Sequence, residues 1–393
     1  MQPTFIPFHR PSIGQEEIDA VAGVLNSKWL TTGPVTHNFE RAFAEYVNAR
    51  YALAVNSCTA ALQLALDAIG LRSGDEVLLP SYTFTATAEV VTYFGARPVL
   101  CDSIRGQFNI DVSDAARRIT SRTRAIIPVH IAGEPCDLDA IQALARAHGL
   151  QVIEDAAHAL PATYKGKRIG SISDLTAFSF YATKTITTGE GGMLTTDNEQ
   201  YALRAASMRL HGISGDAWKR YSREGSWYYE VLDAGYKLNL TDMQSALGLA
   251  QLKKADQFWS GRQHIAEFYM DRLSAIEELE LPPIDIDGQH SWHLFILRIR
   301  PELLEISRNH FITRLKELGI GTSVHFIPLH LHPYYQREYG YSPGDFPNAE
   351  DSYARCLSLP IYPDLTPEEM NRVVDAVEQV VWETKRRVLA VAS

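Results

Sequence analysis

Cysteine is scarce in this 393-residue sequence: only Cys58, Cys101, Cys136 and Cys356 occur, none spaced as C-x-x-C. That leaves no disulfide framework and no zinc ribbon to read, and it points to a reducing cytoplasm. Long apolar runs are also missing; none approaches the roughly 18–20 residues needed to span a bilayer. The N-terminal stretch MQPTFIPFHRPSIGQEE has no basic segment followed by an apolar one, so it does not read as a secretory signal. Basic residues are in the minority, 37 against 47 acidic, for a net charge of −10. This argues against a nucleic-acid or anionic-membrane partner held by bulk electrostatics, although a small anion can still be held by local dipoles. Neither G-x-G-x-x-G nor G-x-x-x-x-G-K-[ST] occurs, so the dinucleotide and P-loop readings lack their signatures.

What is present is the composition of a folded globular protein, 46% apolar and 21% charged, long enough for two domains. Between residues 50 and 196 short β-rich runs alternate with helical ones. YALAVNS (51–57), EVLLP (76–80), RPVLCD (97–102), RAIIPVH (124–130), QVIEDAA (151–157), TAFSF (176–180) and GGMLTT (191–196) read as strands. The segments 58–70, 85–95, 111–119 and 137–149 read as helices, with Gly70, Gly95 and Gly149 at stop positions. The alternation predicts an α/β fold: a mainly parallel mixed sheet with helices on both faces. Residues 198–275 are mostly helical, with one long periodic stretch from Thr241 to about Leu273, and the composition breaks at LPPIDIDG (281–288). Beyond it, a strand (293–300), a helix (310–319), a strand (322–326), a Pro/His/Tyr-rich loop (327–345) and a closing helix (367–388) predict a smaller α+β unit.

Ligands of such a sheet sit at the carboxyl ends of its strands. Three loops there carry chemistry. In NSCTAAL, Ser57, Cys58 and Thr59 open a helix, where N–H groups and hydroxyls can cradle an anion or simply cap the helix. In VIEDAAHA, Asp155 ends an apolar strand, a costly place for a carboxylate without a partner; a protonated heteroaromatic nitrogen or a helix N-terminus would serve. In FSFYATKTITTGEGG, Lys184 lies in a hydroxyl-rich loop closed by glycines, with Ser179 five residues earlier. Alone it reads as a solvated surface charge, but in company it reads as a Schiff-base lysine. Together the three supply an anion cradle, an acid for a ring nitrogen and a nucleophilic amine, which are the needs of pyridoxal phosphate.

The segments SCTAAL, PSYTFTATA, PVHIAGEPCDLDAI, EDAAHA, FSFYATKTITTGEGG and GYKLNLTDMQSALG, in this order, resemble the successive motifs of the DegT/DnrJ/EryC1/StrS family. The resemblance runs from WLTTGP (29–34) to CLSLPIYPDLT (356–366), and within the family the chain resembles UDP-4-amino-4-deoxy-L-arabinose aminotransferase-like members. It implies a fold type I aminotransferase with a large cofactor-binding domain and N-terminal arm (1–275) and a small C-terminal domain (276–393). It implies ping-pong transfer of an amino group from glutamate to the 4-keto position of a nucleotide-linked, UDP-type ketosugar, through the pyridoxamine phosphate form. Lys184 then carries the cofactor, Asp155 meets the ring nitrogen, and Ser57, Cys58, Thr59 and Ser179 hold the phosphate. Phe84 stacks on the cofactor and His158 lies beside it.

The resemblance further implies a homodimer with shared active sites, in which Lys237 or Asn239 reaches the partner's phosphate. Thr31, Thr32, Gly33, His325, Phe326 and His330 face the sugar nucleotide; the aromatic-rich segment 214–234 is long for the family and is expected as a mobile loop over the site. A PLP-dependent sugar dehydratase is disfavoured, because such members commonly carry histidine where Lys184 stands. A non-catalytic sensor is disfavoured by the joint presence of Lys184, Asp155 and Ser179. The histidines His290, His293, His325, His330 and His332 lack an accompanying carboxylate pattern, so no metal is expected.

Overall fold

A computed structural model describes residues 4–214, 228–283 and 287–386. Its centre is a seven-stranded sheet. In spatial order the strands are Tyr51–Val55, Gly192–Thr196, Leu175–Ser179, Gln151–Asp155, Thr123–Ile126, Glu76–Pro80 and Arg97–Cys101. All neighbours pair in parallel except Gly192–Thr196, which runs antiparallel to both of its own. Strand residues alternate between two apolar clusters: Leu53, Val55, Val77, Leu79 and Ile153 face one, Ala54, Leu78 and Val152 the other. A sheet buried on both faces requires this, and it explains why its strands read as continuous apolar runs. The helix Leu138–His148 stops at Gly149, whose φ of 65° is the left-handed cap conformation.

The second unit is a three-stranded antiparallel sheet, Leu279–Glu280, Phe295–Ile299 and Cys356–Leu359, packed against the helix Pro367–Thr384. The expected single stretch from Thr241 to Leu273 is two helices, Asp242–Leu252 and Ala255–Leu273, broken at Lys253–Lys254. The second of these helices spans both units, its early turns serving the large sheet and its later ones the small. Leu252, Ala255 and Phe258 pack in the core of the first, and Ile265, Tyr269 and Leu273 in the core of the second. We keep a division at 275/276 as a proposal, with the qualification that the last turns of Ala255–Leu273 share the core of the small unit.

The expected strand 322–326 is only a single bridge, Ser323 to Ser358, because the chain leaves the small sheet there and turns toward the large one. The 327–345 loop contains a short helix, Pro333–Tyr339. Two N-terminal helices, Gln15–Ser27 and Pro34–Val47, complete the fold and were not anticipated. Residues 284–286 of LPPIDIDG and 387–388 of the closing helix lie outside the described residues. Among the described residues no helix is long and apolar enough to cross a membrane.

Candidate active site

The carboxyl ends of the parallel strands open into a cavity of about 490 Å³ lined by Ser57, Cys58, Thr59, Phe84, Asp155, His158, Ser179, Lys184, His325 and Phe326. Ten of the residues singled out in the sequence therefore meet here, from segments as much as 269 positions apart (57 to 326).

The anion end is the helix Cys58–Ala68. Ser57 is its N-cap: the hydroxyl oxygen accepts the N–H of Ala60 at 3.0 Å, and the hydroxyl itself donates weakly to Asn56 Oδ1 at 3.4 Å. Cys58 and Thr59 occupy the first helical positions, whose N–H groups have no intrahelical acceptor. Gly192 lies against this turn; a Cβ there would come within 2.5 Å of Ser57 and 2.7 Å of the Cys58 nitrogen. Ser179, at the end of its strand, accepts the N–H of Tyr181 at 3.3 Å and keeps its proton for another acceptor.

Asp155 ends the strand Gln151–Asp155. Oδ2 accepts the Thr87 hydroxyl at 2.8 Å, Oδ1 accepts the Ala157 N–H at 3.1 Å, and the Cys58 thiol lies 3.9 Å from Oδ1. Burial pushes its pKa above the ordinary carboxylate value, opposed by Thr87, the Ala157 N–H and Lys184. Lys184 sits in the connection between the antiparallel strands Leu175–Ser179 and Gly192–Thr196. Removal from bulk water lowers its pKa to about 8, against the opposing pull of Cys58 and Asp155. It is therefore an amine with a substantial neutral fraction near physiological pH.

The mouth is aromatic and neutral. His158 lies 4.3 Å from His293 and stacks on Phe326 at 5.7 Å, which in turn faces the exposed Phe84 ring at 5.8 Å. His158 Nδ1 accepts the Ala132 N–H, so the ring's proton is on Nε2. Burial, then Lys184 and His325, depress His158 well below its ordinary pKa; burial and then Lys184 bring His325 to about 4. Both rings are neutral at pH 7, suited to hydroxyl groups.

Six expected residues do not line this cavity. Thr32, Asn239 and Lys237 form a chain of their own: the Asn239 amide donates to the Thr32 hydroxyl at 2.6 Å, and the Lys237 ammonium donates to Asn239 Oδ1. Thr31 and Gly33 lie in the turn before the helix Pro34–Val47. Buried Asp242 holds that turn, accepting the N–H groups of Gly33 at 2.8 Å and Thr36 at 2.9 Å and the Thr36 hydroxyl at 2.6 Å. His330 is a correction. It is fully buried, with Nδ1 2.7 Å from the Ser81 hydroxyl and Nε2 2.9 Å from Glu350, so neither nitrogen is available to a sugar. The lid expected at 214–234 falls largely on 215–227, outside the described residues.

Thr83, Tyr181, Glu190, Gly191 and His293 also line the cavity and went unread. His293 was weighed only as a metal ligand, and Glu190 and Gly191 only as part of a glycine-rich closure. Among the described residues no three of His, Cys, Asp and Glu come together in a metal-binding arrangement. The donor set does fit pyridoxal phosphate: an anion cradle, a buried carboxylate and a neutralisable amine line the same cavity.

The sequence profile described as the DegT/DnrJ/EryC1/StrS aminotransferase family matches residues 11–378. The chain is 52% identical to the uncharacterized protein MJ1066 of Methanocaldococcus jannaschii over 382 residues, covering 97% of this chain and 99% of the other. It is 50% identical over 378 residues to the spore coat polysaccharide biosynthesis protein SpsC of Bacillus subtilis, covering 96% and 97%. Its structure is similar to the PLP form of the sugar aminotransferase Spr1654 from Streptococcus pneumoniae, with TM-score 0.89, 33% identity and coverage of 96% and 99%. It is also similar to PseC of Helicobacter pylori, an aminotransferase of pseudoaminic acid biosynthesis, with TM-score 0.89, 29% identity and coverage of 97% and 100%.

Proposed function

The chain belongs to the DegT/DnrJ/EryC1/StrS aminotransferase family, and on that premise we propose that it binds pyridoxal phosphate and transfers an amino group from glutamate to the 4-keto carbon of a nucleotide-linked, UDP-type ketosugar. The observation that carries this reading is the meeting of Lys184, Asp155 and the N-terminus of Cys58–Ala68 in one cavity. The sugar class draws support from the SpsC and PseC relatives, which belong to polysaccharide and sugar biosynthesis. The donor and the UDP group follow from the family resemblance.

When bound, the cofactor supplies an aldehyde for amine capture and a ring that withdraws electrons. Cys58 and Thr59 N–H groups, with the Ser57 and Ser179 hydroxyls, anchor its phosphate. Asp155, at the end of its strand in the same cavity, keeps the ring nitrogen's proton in place. Lys184 Nζ, about half neutral near pH 8, takes the proton from the donor's α-carbon and returns one to the sugar's C4. The Phe84–Phe326 mouth and the neutral His158 and His325 rings exclude bulk water while offering hydrogen bonds to hydroxyls. Thr32, Asn239 and Lys237, outside their own cavity, are assigned to the site of a second copy in a homodimer. A cytoplasmic setting completes the reading.

Borohydride reduction of the resting protein tests the core: a pyridoxyl group should be fixed on a single peptide containing Lys184, and Lys184→Ala should abolish turnover. A panel of nucleotide ketosugars with glutamate, read by mass spectrometry, tests the substrate. A Lys184→Ala variant with normal transamination would end the proposal.

A further inference from the structure

An ionised carboxylate has about four acceptor positions. In Asp155 three are engaged: Thr87 O–H on Oδ2, Ala157 N–H on Oδ1, and the long contact from the Cys58 thiol. One is left for an incoming N–H. Thr87 therefore does more than fill space. It is wholly buried, and its hydroxyl lies 2.8 Å from Asp155 Oδ2 and 2.8 Å from the hydroxyl of buried Thr83. Because the carboxylate can only accept, Thr87 must donate to it, and Thr83 must then donate to Thr87. Both residues are β-branched, so their χ1 angles are restricted and little rotamer freedom is lost in forming the chain. With the Ala157 N–H on the other oxygen, the plane of the carboxylate is held from both sides.

We propose that Thr87, ordered by Thr83, is a positioning residue that fixes the Asp155 carboxylate, ionised and in one plane, for the ring nitrogen of the cofactor; this rests on the role given to Asp155 above. Burial works against ionisation, and the Thr87 hydroxyl leads the groups that oppose it. The other groups facing the carboxylate are Lys184, whose charge favours ionisation, and the Cys58 thiol; His130, paired with Glu154, adds a smaller favourable pull. A hydroxyl donor to a buried carboxylate is therefore a lever on both its orientation and its charge.

The test is an absorbance titration of the apo chain with pyridoxal phosphate across pH 5 to 9, on wild type, Asp155→Asn, Thr87→Val, Thr87→Ser and Thr83→Val. Thr87→Val keeps the shape and removes the donor. It should weaken cofactor binding by about tenfold, and the loss should grow as pH falls, since Asp155 protonates earlier without its donor. Thr87→Ser should restore affinity to within about twofold of wild type, and Thr83→Val should show a smaller loss of the same pH dependence. A purely structural role would weaken binding equally at every pH and would overturn the inference, as would Thr87→Ser behaving like Thr87→Val. If Thr87→Val does not fold, Thr83→Val decides alone, and wild-type binding in it overturns the relay. Wild-type binding by Asp155→Asn would instead remove the role of Asp155 itself, while a weak Asp155→Asn beside an unaffected Thr87→Val would overturn only the inference.

Discussion

Lys184 has the same primary sequence environment as many exposed lysines; its cavity makes it a different base. With its pKa near 8, each pH unit below that leaves about tenfold less neutral amine. Capture of pyridoxal phosphate by the apo protein, followed by stopped-flow absorbance, should accelerate with pH up to about 8 and then flatten; a lysine with its ordinary basicity would still be gaining at pH 10. Two histidines on one loop make a second contrast. His325 lines the cavity, whereas His330 spans Ser81 and Glu350. His325→Ala should raise KM for the ketosugar about tenfold and leave the glutamate half-reaction within about twofold, the scale of one lost hydrogen bond. His330→Ala should leave both KM values alone and lower unfolding stability by about 2 kcal/mol, because it strands a buried serine hydroxyl. Because His325 Nδ1 itself lies 2.9 Å from the hydroxyl of buried Ser358, both variants should cost stability in urea, and the half-reaction kinetics separate the two.

At the scale of elements, the turn Thr31–Pro34 is held from 209 residues away, by Asp242 at the first position of the helix Asp242–Leu252. One carboxylate thus joins two helices at their N-termini, accepting from the start of Pro34–Val47 while opening its own helix, where a negative charge is favourable twice over. Asp242→Asn keeps one acceptor oxygen and loses the charge. It should lower the stability of the fold by about 1–2 kcal/mol, measured by urea unfolding, and loosen the Thr32–Asn239 contact that the turn presents. Unchanged stability would mean that the backbone alone holds the turn. The helix break at Lys253–Lys254 belongs to this scale too. Gln251 is drawn to Ser12 and Glu17, and Lys254 to Glu17, at the break, while the change of core comes later, between Phe258 and Ile265 of the second helix.

For the whole molecule the question is where Lys237 and Asn239 work. They hydrogen-bond to each other and, through Asn239, to Thr32, and none of the three lines the cavity of its own chain. If they complete a partner's site, a chain altered at both Lys237 and Asn239 should bind pyridoxal phosphate weakly. Mixed with Lys184→Ala it should recover up to about a quarter of wild-type activity, because a random two-fold hybrid contains one intact site in half of the dimers. No recovery in a purified heterodimer would place both residues outside the partner's site.

Local rules made much of this protein legible. Strand runs between residues 50 and 196, helix stops at glycine, the N-cap at Ser57 and a carboxylate closing the strand at Asp155 are short-range patterns, set by the pleat, the 3.6-residue turn and the cost of burying charge, and the structure has these. The candidate site was legible for the same reason: Ser57 and Asp155 sit at strand ends and Lys184 in the loop that follows a third, and all three line one cavity. Other decisions needed tertiary structure, because they depend on partners far along the chain. Thr87 meets Asp155 across 68 residues, and Asp242 meets Gly33 across 209. His325 and His330, five residues apart with similar neighbours, were divided between cavity and core only when Ser81 and Glu350 closed on the second of them. Sequence spacing specifies which face of an element a residue takes, but burial and hydrogen-bond satisfaction are properties of what packs against that face, and that is decided by the assembled fold.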